Sequence, residues 1–212
     1  MYTVLVVNDS PMVVDVLTAM LERGGYHPIG AGSGEECLRL LKEMKPDLIL
    51  LDVKMRPLNG WETLRMIKDD PETRDIAVAM HTGKHLTPAE IQQYGRLIED
   101  YILLPTTHRE LFDAIEYILN QKVQIEQEVE IARRAGADVE LIEEFRYLSG
   151  SVDTFRRLIR LLELSLRTDV TLRIGEHLMN AMKSMTTSEK CMERRPEELK
   201  RQFHGMGRRE GA

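Results

Sequence analysis

Apolar positions in the first half of the chain fall into five short runs: Tyr2–Val7, Tyr26–Ala31, Leu48–Asp52, Ile76–His81 and Tyr101–Leu104. They are mostly apolar on both alternating faces, as strands covered on both sides should be. A helix-start signal follows each. Ser10 precedes Pro11, which suits a first helical turn. Ser33 with Glu36, Asn59 with Glu62, Thr87 with Glu90 and Thr107 with Glu110 have the spacing of an N-cap and its third residue. Gly24 and Gly25 stop the first helix. Five strand–helix alternations predict an α/β, doubly wound, five-stranded parallel sheet over about residues 1–120.

The fifth helix has no early stop. Leu111, Ile115, Ile118, Lys122, Ile125, Val129 and Ala132 recur at alternating four- and three-residue spacing, a heptad seam that runs to a break at Gly136. One helix is expected from about Thr107 to Ala135, with residues 121–136 continuing beyond the sheet domain as a linker. Ile125 and Val129 then need a partner, since an isolated helix of this length is marginal in water. The expected partner is the same helix of a second chain, giving a parallel homodimer, because the long basic stem of Lys122 in the seam can snorkel out of a two-stranded interface; the alternative is the later helices folding back.

Residues 137–204 read as an all-α region. Asp138–Leu148 is helical, with Gly150 as its stop. Phe155, Leu158, Ile159, Leu162 and Leu166 form one stripe. Val170, Ile174, Leu178, Met182 and Met185 continue at helical spacing, although Val170, Leu172 and Ile174 also alternate like a strand. Pro196 opens a short last helix holding Leu199 and Phe203, and residues 205–212 form a flexible tail.

Charge divides the chain at the same place. Residues 1–120 carry a net −7 and residues 121–212 a net +1, the latter rich in arginine, which suggests two units with different partners. No apolar run approaches the roughly 20 residues needed to span a bilayer, and the N-terminus is no secretory leader. Cys37 and Cys191 lie far apart with no ligand spacing, which fits reduced thiols in a cytoplasmic protein.

Three polar residues fall where strands end: Asp9 after the first run, Asp52 closing the third, Thr82 after the fourth. In a parallel sheet such ends share one crevice, where ligands bind. Two carboxylates held close repel unless a cation sits between them, and hard oxygen ligands with room for water suit Mg²⁺. A carboxylate beside that cation is a candidate phosphoryl acceptor, and the Thr82 hydroxyl a candidate donor to the phosphoryl group.

Val4-Leu5-Val6-Val7-Asn8-Asp9, Leu50-Leu51-Asp52-Val53-Lys54-Met55, Asn59-Gly60, Thr82 and Tyr101 through Pro105 resemble, in order and spacing, the motifs of CheY-like receiver domains of two-component response regulators. The resemblance covers about residues 2–120. It implies that Asp9, Asp52 and the backbone carbonyl of Lys54 bind Mg²⁺. It further implies that a sensor histidine kinase phosphorylates Asp52, that Thr82 swings toward the phosphoryl group, and that Tyr101 turns inward as a switch. Such a domain is no enzyme beyond its own phosphoryl transfer and dephosphorylation.

The chain departs from that pattern twice. Asn8 replaces the first of two acidic residues, leaving an amide to bind the cation directly or through water. Leu104 stands where the family has a lysine, and a leucine makes no charge-assisted bond to phosphate. Lys84, Lys54 and His108 are the candidate substitutes, although most surface lysines are simply solvated. His81 reads as structural, as a lone histidine at a strand end more often is, and Trp61 as packing at the start of the third helix. No histidine or cysteine spacing suggests zinc. Arg156, Arg157, Arg160, Arg167 and Arg173 crowd together, but interleaved acids, near-neutral charge and a poor helix-turn-helix match around Gly150 rank a protein-contact or dimer-forming output above DNA binding. A pseudo-receiver, no longer phosphorylated because of Leu104, is the third reading.

Overall fold

The computed structural model describes residues 1–168 and 194–206, without the side chains of residues 151–153 and 163–168. These residues form two compact units: Met1–His85 with Leu97–Leu119, and Leu86–Arg96 with the described residues from Asn120 onward.

The first unit holds five parallel strands, β1 (Thr3–Val7), β2 (His27–Ala31), β3 (Leu48–Leu51), β4 (Ala77–Thr82) and β5 (Asp100–Leu103), in the order β2-β1-β3-β4-β5. Helices α1 (Pro11–Arg23), α2 (Gly34–Leu40), α3 (Gly60–Asp69) and the start of α5 (His108–Arg134) alternate with them. On one face of the sheet, Val4, Val6, Leu48 and Leu50 pack with Leu21, Leu111 and Ile115 in one buried cluster. Leu5, Ile49 and Val78 alternate with these residues and are equally buried, so the central strands are covered on both sides. Each such leucine or isoleucine contributes about 1.5–3 kcal/mol of burial free energy. The edge strand β2 differs from expectation. Of its five residues only Ala31 is buried, because β2 has one neighbour, and Pro28 is tolerated there.

The helix-start signals have their expected chemistry, with one exception. Ser33 Oγ accepts the Glu36 N–H at 3.1 Å, and Asn59 with Glu62 closes a reciprocal capping box. Thr107 and Glu110 exchange the same pair of bonds, at 2.8 and 3.2 Å. Ser10 makes no side-chain cap; its N–H instead donates to Asn8 Oδ1 at 2.9 Å. The stop after α1 is supplied by Gly25, whose φ of 82° only glycine adopts readily.

The second unit contains α4 (Pro88–Tyr94), the later turns of α5, α6 (Val139–Thr168) and helical residues 194–206. As expected, α5 is one helix of 27 residues. It ends where Gly136 takes a φ of 67° and the Ala137 N–H reaches back to the Ala132 carbonyl at 3.0 Å. Beyond it, Val129, Ala132, Ile142, Phe145, Leu199 and Phe203 form one core, with Ile125 half-buried against it. The Phe145 and Phe203 rings meet edge to face, 5.6 Å between centroids. Val129 is thus wholly covered from within the chain. The later helices supply the partner this seam needs, and the motive for a homodimer at Ile125 and Val129 falls away.

Gly150 does not end a helix. The stretches on either side merge into the 30-residue α6. A mid-helix glycine costs only about 1 kcal/mol, and buried Phe145 on one side with Phe155, Leu158, Ile159 and Leu162 on the other outweighs it. Residues 205 and 206 are helical rather than tail. Leu199 and Phe203 are fully buried, as the short last helix requires. Val170 to Met185, Cys191, residues 207–212 and the side chains of Leu166 and Arg167 lie outside the described residues, as does Arg173. In the same unit, Arg96 just past α4 donates to the Tyr147 hydroxyl at 3.0 Å and lies over the Phe155 ring at 5.8 Å. No helix among the described residues is long and apolar enough to cross a membrane.

Candidate functional site

Register decides which strand ends meet. Val7 pairs with Leu51, and Leu51 with Met80. Asp52 therefore leaves the sheet one residue beyond β3, flanked by the ends of β1 and β4. Its N–H donates to the Val7 carbonyl at 3.0 Å, which fixes the carboxyl-bearing residue to the neighbouring strand. Asp52 is only 9% exposed, whereas Asp9, two residues past β1, is open to solvent. A partly sheltered carboxylate with an exposed one nearby suits a cation that keeps part of its water shell.

Among the described residues no group of three or more His, Cys, Asp or Glu gathers around a common point. A dication here would draw on two carboxylates, a carbonyl and water. That donor set fits Mg²⁺, which retains several waters, and not a closed protein cage. Asn8 is buried, and its Oδ1 accepts the Ser10 N–H at 2.9 Å. With that oxygen engaged, contact through water suits Asn8 better than direct ligation. Lys54 is exposed, which leaves its side chain solvated.

The loop after β3 returns close to Asp52. The Gly60 N–H donates to the Val53 carbonyl at 3.0 Å, and a Cβ on Gly60 would collide with the Asp52 carbonyl oxygen. The Asn59-Gly60 pair thus combines the cap of α3 with a close approach only glycine allows.

Thr82 ends β4 with no exposed surface. Its Oγ1 accepts the Lys84 N–H at 3.3 Å, which leaves the hydroxyl proton able to donate elsewhere. Tyr101 is 2% exposed, its hydroxyl donates to the Lys84 carbonyl at 2.6 Å, and its ring stacks on Trp61 at 6.2 Å between centroids. The tyrosine is therefore turned inward, and the Lys84 backbone joins it to Thr82. Trp61 is buried, as its place at the head of α3 requires.

Leu104 is half-buried, and its N–H donates to the Thr82 carbonyl at 2.9 Å, so an apolar side chain is held where β5 leaves the sheet. Lys84 is half-buried, and His108 is exposed at the first turn of α5. His81 is 3% exposed, and its Nε2 is buried with no hydrogen-bond partner among the described residues. Burial pushes its pKa down, and the Asp52 carboxylate partly opposes that shift. No spacing rule flags an orphaned nitrogen; only packing reveals it. Of the C-terminal arginines, Arg156 and Arg160 are exposed, while burial lowers Arg157 to about 10.

Residues 4–116 match the family described as response regulator receiver domain, and residues 121–206 match the family described as Metanogen output domain 2. Protein PilH of Pseudomonas aeruginosa is 33% identical over 119 residues, covering 56% of this chain and 98% of that protein. Several other curated relatives are spanned over about half their length, as with the phosphate regulon regulator PhoB of Klebsiella pneumoniae at 52%. Among solved structures, the N-terminal domain of a response regulator receiver protein from Methanoculleus marisnigri is 63% identical, covering 56% of this chain and 97% of that one, with a TM-score of 0.48. A response regulator receiver domain protein from Clostridium thermocellum is 28% identical, covering 58% of this chain and 98% of that one, with a TM-score of 0.53. With its motifs at the ends of a β2-β1-β3-β4-β5 parallel sheet and more than half its length matched, the chain belongs to the response regulator receiver domain family.

Proposed function

We propose that this chain is a phosphorylation-dependent switch of a two-component system, in which a sensor histidine kinase phosphorylates Asp52. The reading rests on one observation above all: Asp52 is sheltered just past the end of β3, level with His81 of β4, and the buried Thr82 that ends β4 lies one residue further on. Asp9, Asp52 and the Lys54 carbonyl would hold Mg²⁺, with Asn8 contributing through water. When bound, the ion neutralises charge on the phosphoryl oxygens. Thr82 donates its hydroxyl proton to the phosphoryl group, Lys84 in the same turn adds a cation, and inward Tyr101 latches the Lys84 backbone.

The output passes through the helical second unit, a place for it that the name of the family matched by residues 121–206 supports, and it acts by contact with a downstream protein. Such a switch works in the cytoplasm. DNA binding through the arginine-rich helices is the competing output, and salt-dependent binding to duplex DNA would reveal it.

A specific observation favours one rival. Leu104 puts no cation at the end of β5, as a pseudo-receiver that has lost phosphorylation would have it. Mass measurement after incubation with a small-molecule phosphodonor and Mg²⁺ decides between them. The wild type should gain one phosphoryl group and Asp52→Asn none. A wild type that takes phosphate from no donor or kinase overturns the switch reading in favour of the pseudo-receiver.

A further inference from the structure

The first unit buries one titratable side chain that the proposed mechanism does not use. His81 lies one register step beyond the Leu51–Met80 pair, so it is level with Asp52, the residue that follows β3. The imidazole is close enough for the Asp52 carboxylate to act on it electrostatically. It is 3% exposed, and its Nε2 finds no hydrogen-bond partner among the described residues.

A purely structural role accounts poorly for this arrangement. Neighbouring β4 positions are filled by Val78, Ala79 and Met80, all at 0% exposure, and an apolar side chain at 81 would avoid burying a polar nitrogen. Buried polar groups in native proteins are nearly always satisfied, so an orphan points to a partner that arrives later. The adjacent end of β5 carries Leu104, which can donate nothing. Next to Asp52 there is thus one side chain with an unused hydrogen-bonding atom and one place where a donor is missing.

We propose that His81 is a positioning residue for the phosphorylated state, its Nε2–H donating a hydrogen bond to a phosphoryl oxygen carried by Asp52. The proposal rests on the reading of Asp52 as the phosphoryl acceptor. It requires no change of protonation state, because a neutral imidazole carries one proton that can reside on Nε2. The contact supplements Thr82 and Lys84 and takes over part of what the family's lysine provides.

The test uses the full chain with beryllium fluoride and Mg²⁺ as the phosphoryl mimic. In the wild type, the His81 Nε2 resonance should move on saturation. His81→Leu should bind the mimic about tenfold more weakly, the cost of one hydrogen bond to a charged group. His81→Gln, which keeps an N–H donor, should stay within about threefold. An Nε2 resonance unmoved at saturation, or a His81→Leu variant that binds like wild type, overturns the proposal while leaving Asp52 as acceptor intact. If His81→Leu does not fold, the wild-type resonance and the glutamine variant decide. A wild type that binds no mimic removes the acceptor reading and this proposal with it.

Discussion

Phe203→Ala separates an intrachain role of the α5 seam from a dimer. Phe203 is 0% exposed and shares its cluster with Val129, Ala132, Phe145 and Leu199. Truncating a buried phenylalanine costs about 3–5 kcal/mol, counting lost transfer energy and the cavity left behind. About 0.5–1.5 kcal/mol of that belongs to the edge-to-face contact with Phe145. Against a domain stability of about 5–15 kcal/mol, such a loss moves the unfolding midpoint far. The chain has a single tryptophan, Trp61, buried in the first unit, so its fluorescence follows that unit. Urea unfolding should show an earlier loss of far-ultraviolet dichroism in the variant, with the Trp61 transition little changed. Because the core is intrachain, the shift should not depend on protein concentration. A shift that grows on dilution, or a wild-type dimer that the variant dissociates, would refute the fold-back reasoning.

Gly150→Ala should stabilise the second unit by about 0.5–1 kcal/mol in the same urea assay, since Gly150 lies inside α6 and an added Cβ meets nothing within 4 Å; a loss of stability would mean that α6 is interrupted there. Burial opposes ionisation of Glu128, but hydrogen bonds from Lys200 and His204 outweigh it and hold the carboxyl below its ordinary 4.5. Its stabilisation is therefore present above that value and is lost as pH falls through the lower folded value, so Glu128→Gln should flatten the acid-side decline of the dichroism midpoint. Leu104→Lys should lengthen phosphate lifetime on Asp52 while leaving the extent of labelling unchanged, the new ammonium adding a contact of about 1.5–3 kcal/mol before desolvation; equal lifetimes would strip Leu104 of functional meaning.

Local sequence determined those features whose cause is local. Five apolar runs with capping signals fixed the strand–helix order, because a cap such as Asn59 with Glu62 or Thr87 with Glu90 closes within four residues. The absence of proline or glycine from 108 to 134 was enough to predict an uninterrupted α5. The order Asp9, Asp52, Thr82 along the chain placed three polar groups at strand ends, since parallel strands present all their C-terminal ends on one edge. Non-local energies decided the rest. Gly150 reads as a stop because propensity counts one residue, whereas α6 runs through it on the burial of Phe145, Phe155 and Leu158. The α5 seam needed a partner on any reading, but whether that was a second chain or residues 199 and 203 depended on which apolar surface arrived first at no cost in association entropy. His81 looked like an ordinary strand residue; that its Nε2 is buried, unpaired among the described residues and level with Asp52 is a property of register and packing, which no single strand contains.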